Sequence, residues 1–197
     1  MVENRDAPAE EVGTAAHGGG SSIVDRLAGK TLLLTGVTGF LGQVVLERLL
    51  MDFAQTRIVL LVRSQTGATA RERVEYLLRK PAFTLLRERH DEHALLSLLD
   101  ERTQVLDGDF GRGEPAIPAG IDVAIHSAAT VSFDPPIDEA FQTNLFGAMN
   151  LYRAVLSGGS RPAFVHISTA YVAGVQKGVI PEGPLEHRVD YRLEGEQ

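Results

Sequence analysis

Short apolar runs of strand length alternate along this chain with longer amphipathic segments. Leu32, Leu33 and Leu34 form the first run, which stops at Gly36, Gly39 and Gly42. A helical pattern begins at once, with Leu41, Val45 and Leu49 on one stripe and Leu46, Leu50 and Phe53 beside it. The second run, Arg57 to Arg63, is apolar between two charges, as in a parallel strand covered on both faces. Residues 68–100 read as helical with a break at Pro81, leucines on the amphipathic faces and arginines opposite. A third strand is expected at Thr103 to Leu106 and a fourth at Ile121 to His126, with a glycine- and proline-rich loop over 111–120 between them. Asp134 and Pro135 suit the start of a long helix, and Gly158-Gly159 suits its end. Its expected buried face is Ile137, Phe141, Leu145, Ala148, Tyr152 and Val155, while Asn144, disfavoured in mid-helix, is expected to contact a neighbouring loop. The fifth strand is Ala163 to Ile167, and no sixth is recognisable before Gln197. The alternation predicts an α/β protein: a doubly wound parallel sheet in three layers, α/β/α, incomplete at its C-terminus.

The places where strands end carry the candidate chemistry. Gly36 would permit a sharp turn, Gly39 a close backbone approach to a diphosphate, and Gly42 the packing of the helix on the strand. The free amides and positive dipole end of that helix favour bound negative charge. At the end of the second strand, where an acid would accept from the ribose hydroxyls of NAD, stand Arg63 and Ser64, suited to the additional 2′-phosphate of NADP. The alternative is an ordinary surface arginine. Asp109 and Phe110 are candidates for an adenine, through the carboxylate and the next backbone amide; a plain turn of Asp and Gly explains them equally. After the fourth strand, Ala128, Ala129 and Thr130 leave room for a ribose beside the backbone. Ser168 and Thr169, after the fifth, place hydroxyls where a substrate carbonyl oxygen would develop charge, although such a pair is more often a turn.

Composition narrows the classes. A 197-residue chain that is 44% hydrophobic supports one core, read here as residues 25–197 behind a flexible leader over 1–24. A net charge of −7 argues against nucleic acid or an anionic membrane as partner. The absence of cysteine removes disulfides, thiolate nucleophiles and thiolate metal sites. No apolar run has the length of a membrane span and no secretory signal opens the chain, so a cytoplasmic protein is expected.

Three look-alikes are set aside. Gly29-Lys30-Thr31 imitates the end of a triphosphate-binding loop but precedes a strand instead of following one. Tyr76 and Lys80 have the spacing of a reductase's catalytic pair but fall too early, and read as helix surface and core edge. His90 and His93, the one close histidine pair, read as a solvated helix end.

The segments Thr35–Gly42, Leu60–Arg63, Gly108-Asp109, His126–Phe133, Asn144–Asn150 and Phe164–Val172 together resemble the extended short-chain dehydrogenase/reductase superfamily, a Rossmann fold. Within it they resemble fatty acyl-CoA reductases, with the male sterility type of NADP-binding domain. The resemblance implies hydride transfer from NADPH to a long-chain acyl thioester, giving an aldehyde or alcohol. The substrate would be an acyl-CoA; an acyl group on a carrier protein, as in thioester reductase domains, is the alternative, and a non-catalytic NADP-binding module a third reading. It further implies that Thr169, with Ser168 beside it, helps polarise the carbonyl, and that Thr38, Phe40 and Leu41 join the residues above at the cofactor. The family's Tyr-x-x-x-Lys pair, which protonates the developing alkoxide, has no match after Thr169: Val175 stands four residues beyond Tyr171, and Gly195 four beyond Tyr191. The chain is therefore expected to be the cofactor-binding portion of a reductase, inactive alone.

Overall fold

A computed structural model describes residues 21–132, 135–174 and 177–183. The leader read over 1–24 falls almost wholly outside these, as do Asp134, Val175 and Tyr191. Ser22 begins the described chain with a reciprocal cap: its hydroxyl accepts from the Asp25 amide while the Asp25 carboxylate accepts from the Ser22 amide. The short helix it opens, α1, covers Ile23–Leu27.

Five parallel strands follow: β1 (Thr31–Thr35), β2 (Arg57–Val62), β3 (Thr103–Asp107), β4 (Val123–His126) and β5 (Ala163–His166). They lie side by side in the order β3-β2-β1-β4-β5. The chain thus winds outward from β1 to β3, returns to the other side of β1, and winds outward again. The reversal lies between β1 and β4, and the crevice at the carboxyl ends of the strands around such a point is the usual ligand position in these sheets. The expected fourth strand is shorter by two residues at its start. Asp122 there is committed sideways, its carboxylate accepting from the Thr31 amide at 2.9 Å and from the Lys30 ammonium at 3.0 Å. Those bonds hold its carboxyl below the usual range, the Thr31 amide first. They also occupy the lysine of the discarded Gly-Lys-Thr look-alike.

Alternation within the strands sorts side chains to two faces. Leu32, Leu34, Ile58, Leu60 and Val62 meet α2 (Phe40–Asp52) and the segment expected to be helical over 68–100. That segment divides into α3 (Ala70–Leu77), α4 (Thr84–Arg89) and α5 (Glu92–Arg102), with a 3-10 turn at Pro81–Phe83 where proline interrupts it. Phe83, Leu86, Leu95 and Leu99 complete this core. His90 and His93 lie exposed at the junction of α4 and α5, and Tyr76 is exposed with the Lys80 ammonium 4.6 Å from its ring centre. No helix of the described residues is long and apolar enough to cross a membrane.

The opposite face, built on Leu33, Val59, Leu61 and Ala124, is covered by the helix between β4 and β5. This helix differs from the expected one. It starts as α6 (Ile137–Ala140), widens to a π-helical turn at Phe141–Phe146 and resumes as α7 (Gly147–Ser157), which Gly158 and Gly159 end. A π turn holds an extra residue, so the buried stripe slips in phase as it passes through. Gly147, Ala148, Leu151, Ala154 and Val155 are buried, whereas Ile137 and Leu145 of the expected face are 59% and 42% exposed. Leu151, absent from the expected face, is fully buried.

Two glycines of the turn after β1 are required by packing. Gly36 has φ +76°, and a Cβ there would lie 2.5 Å from the Ser127 carbonyl carbon and 2.6 Å from the Ala128 nitrogen. A Cβ on Gly42 would overlap the Gly36 carbonyl and stand 2.7 Å from the Val37 Cα. The first turn of α2 thus sits directly on the glycine turn.

Two stability measurements test this packing. Leu151→Ala is expected to lower unfolding free energy by about 2–5 kcal/mol and Leu145→Ala by under about 1 kcal/mol; a helix without the π turn would reverse the ranking. In the same denaturation assay Gly42→Ala is expected to cost at least about 2 kcal/mol, because backbone must move, and wild-type stability would contradict the assignment.

Candidate dinucleotide site

The crevice at the strand ends is a cleft of about 270 Å³. Gly36, Val37, Thr38 and Gly39 form one wall; Leu61, Val62 and Arg63 at the end of β2, with Gly108, Asp109 and Phe110 after β3, form another. Ser127, Ala128 and Ala129 after β4 close the side toward β5. Gly39 caps α2 with no side-chain hydrogen bond to the first-turn amides, so an anion can take that role. A Cβ built on Gly39 meets only the Gly36 carbonyl oxygen, at 3.3 Å, and otherwise fills open space.

The electrostatics are set at the outer end. The Arg63 guanidinium is mostly exposed and lies 3.4 Å from Asp109 Oδ2, which Arg112 also approaches at 3.5 Å. The other oxygen of Asp109 accepts from the Gly111 amide at 3.0 Å, fixing the carboxylate. Arg73, in the first turns of α3, reaches back into the cleft and donates to the Arg63 carbonyl oxygen. Two guanidinium groups therefore share one end of the cleft.

Behind the glycine turn, Thr35 and His126 are buried opposite each other in the β1–β4 register. The Thr35 hydroxyl lies 2.7 Å from His126 Nδ1 and accepts the amides of Ser127 and Ala128, each at 3.3 Å. Burial, then the neighbouring His166, lowers the His126 pKa to about 4, so the ring is neutral in neutral solution. His126 packs against Phe110 at 5.2 Å between ring centres, and beside His166 at 5.3 Å. The Tyr152 hydroxyl of α7, its pKa raised by burial, is hydrogen-bonded to His166 Nδ1 at 2.6 Å.

Of the residues singled out from sequence, Gly36, Thr38, Gly39, Arg63, Asp109, Phe110, Ala128 and Ala129 come together around this one cleft. Phe40 and Leu41 do not line it, Phe40 being 89% exposed, and Gly42 is spent on helix packing. Ser64 is turned to another use: its hydroxyl donates to Asp107 at 2.6 Å and accepts the Ala70 amide at the start of α3. The Ser64 bonds also lower the Asp107 pKa. Thr130 stands outside the cleft, its backbone held at both ends by Asn144, whose side chain accepts from its amide at 2.8 Å and donates to its carbonyl at 3.1 Å. This is the loop contact expected of Asn144. Ser168 and Thr169 lie exposed beyond β5 and outside the cleft, with the Thr169 hydroxyl capping a 3-10 turn through the Tyr171 amide.

Sequence reasoning missed Arg73 and Thr143, both of which line the cleft from helices. Arg73 carried one usable signal, a cation near the start of the helix that follows the arginine-ended strand. Thr143 carried none, because its position depends on the π turn. Among the described residues no cluster of histidines and carboxylates could hold a metal ion.

The comparisons with known proteins agree with this geometry. Residues 34–196 match the family model described as male sterility protein, an NAD-binding domain. A probable fatty acyl-CoA reductase 5 of Arabidopsis thaliana is 34% identical over 176 residues, 83% of this chain and 35% of its own. Fatty acyl-CoA reductase 1 of Mus musculus is 35% identical over 153 residues, 76% of this chain and 30% of its own. The chain thus spans about a third of the length of these curated relatives. Among solved structures, the terminal R domain of the myxalamid PKS-NRPS pathway superposes with a TM-score of 0.61 at 27% identity, covering 81% of this chain and 40% of that one. The reductase domain of a non-ribosomal peptide synthetase from Mycobacterium tuberculosis gives 0.55 at 26%, over 78% and 37%. With its parallel sheet, its glycine turn and a match over most of its length, the chain belongs to the male sterility family of NAD-binding domains, the family of the fatty acyl-CoA reductases.

Proposed function

We propose that this chain holds NADPH for the reduction of a long-chain fatty acyl-CoA thioester and supplies the cofactor-binding portion of that reductase. One observation carries the reading: a single cleft joins a glycine turn, at a helix N-terminus with no side-chain cap bond, to Arg63 and Arg73. The diphosphate would lie against Gly36 to Gly39, where the space a Cβ of Gly39 would occupy is open. Arg63 and Arg73 would hold the 2′-phosphate, which exchanges the Arg63 contact with Asp109 for a dianion. Asp109, anchored by the Gly111 amide, and Phe110 would meet the adenine. The backbone at Ala128 and Ala129 would pass beside a ribose.

A nicotinamide cofactor held in the cleft would supply the hydride for the thioester carbonyl carbon. The part of this chain would be to position it and, through the hydroxyls of Thr169 and Ser168, to donate hydrogen bonds to the carbonyl oxygen as charge develops there. No Tyr-x-x-x-Lys spacing follows Thr169 in these 197 residues, so we expect binding without turnover. A second reading, an acyl group carried on a protein instead of CoA, is favoured by the likeness to reductase domains of peptide and polyketide assembly lines.

Titration of the chain with NADPH and NADH tests the cofactor assignment. Saturable binding with NADPH preferred at least about tenfold is expected, since each charge-assisted contact to the 2′-phosphate contributes about 1.5–3 kcal/mol. Arg73→Ala should reduce that preference by about tenfold or more. Equal affinity in the wild type would overturn the assignment. With NADPH bound, no consumption is expected on adding a long-chain acyl-CoA. Competition between acyl-CoA and the same acyl group on a carrier protein for the loaded chain separates the two substrate readings.

A further inference from the structure

Behind the glycine turn, the side chain of His126 is titratable and almost fully buried. We propose that His126 is a positioning residue for dinucleotide binding, whose hydrogen bond with the Thr35 hydroxyl holds the Ser127–Ala128 backbone in place as a wall of the cleft. This rests on the cleft being a dinucleotide site.

A hydroxyl has one proton and two lone pairs. Both lone pairs of Thr35 Oγ1 are engaged by the amides of Ser127 and Ala128, so its proton points to His126 Nδ1, 2.7 Å away. His126 must then present a bare Nδ1 and carry its proton on Nε2. A proton on Nδ1 would set three donors against two lone pairs and release one of the two amides. Those amides belong to the stretch that closes on the glycine turn, where even a methyl group on Gly36 would stand 2.5 Å from Ser127. Any displacement of this loop is therefore passed directly to the turn that faces the diphosphate.

The ring is held from three sides: Phe110 edge-on at 5.2 Å, Tyr152 of α7 edge-on at 6.1 Å, and His166 of β5 tilted at 5.3 Å. Of these, Tyr152 and His166 are titratable, and they are hydrogen-bonded to each other through the Tyr152 hydroxyl and His166 Nδ1 at 2.6 Å. The lowered pKa of His126 keeps the ring neutral in neutral solution, so one of its two nitrogens is an acceptor. The same residue ties down the end of β5, its carbonyl accepting the Ile167 amide at 2.9 Å directly before Ser168 and Thr169.

The test compares His126→Asn, which keeps an acceptor where Nδ1 stands, with His126→Leu, which fills similar space and offers none. Affinity for NADPH is expected to stay within about threefold of wild type for the Asn variant and to fall by more than about tenfold for the Leu variant. Proton–nitrogen correlation spectra of the wild type should show the His126 proton on Nε2. Equal losses in the two variants, wild-type affinity in the Leu variant, or a proton on Nδ1 would overturn the inference while leaving the dinucleotide reading intact. Absence of NADPH binding by the wild type would overturn both. Should His126→Leu fail to fold, Thr35→Ser against Thr35→Val puts the same question from the other side of the bond: the serine is expected to retain affinity and the valine to lose it, and equal affinities would overturn the inference.

Discussion

The near-contact of two backbones, Gly36 against Ser127 and Ala128, is the constraint on which the functional part of this fold depends. It brings the turn after β1 and the loop after β4 to within van der Waals distance at the point where the sheet reverses its winding. Only a residue without Cβ, in a left-handed conformation, satisfies it. Thr35, immediately before, answers the amides that the loop brings inward, and His126 answers Thr35. Buried polar groups left without partners are costly, so these elements stand or fall together.

From that contact outward the cleft is assembled by elements with little else in common. The strand ends deliver Arg63 and the Asp109 loop; α3 turns Arg73 back toward Arg63; the π turn brings Thr143 to the cleft and Asn144 to Thr130. The π turn also lets Gly147 accept the Phe110 ring, because a Cβ there would lie 2.7 Å from that ring, while Asn150 donates to the Phe110 carbonyl at 2.9 Å. One helix thereby holds the loops after β3 and after β4. All four residues of β5 are exposed, and Tyr152 of α7 packs against Phe164 at 4.6 Å between ring centres.

Strands and the glycine turn were legible in the sequence because they are local patterns: apolar runs bounded by charge, and glycines between a strand and a helix. Gly36, Thr38 and Gly39, which line the cleft, belong to the same local pattern. Arg73 was not, since its place in the cleft arises from α3 folding back on β2. The buried face of the helix after β4 was misassigned at Ile137 and Leu145 because a regular period was extended through a π turn that no residue pattern announced. Ser64 stands beside Arg63 in the sequence, but its two bonds to Asp107, at 2.6 and 2.9 Å, are visible only in three dimensions. The link between Thr35 and His126 spans 91 residues and could not be read from either segment alone.

We propose that NADPH occupies the cleft between the glycine turn and the arginines Arg63 and Arg73. Hydrogen–deuterium exchange of the chain with and without NADPH tests it most directly. The account predicts slower exchange at Gly36 to Gln43, at Arg63 and Ser64, and from Gly108 to Phe110 and Ser127 to Ala129, with little change over α4 and α5. Protection confined to α4 and α5, or none anywhere at saturating NADPH, would contradict it.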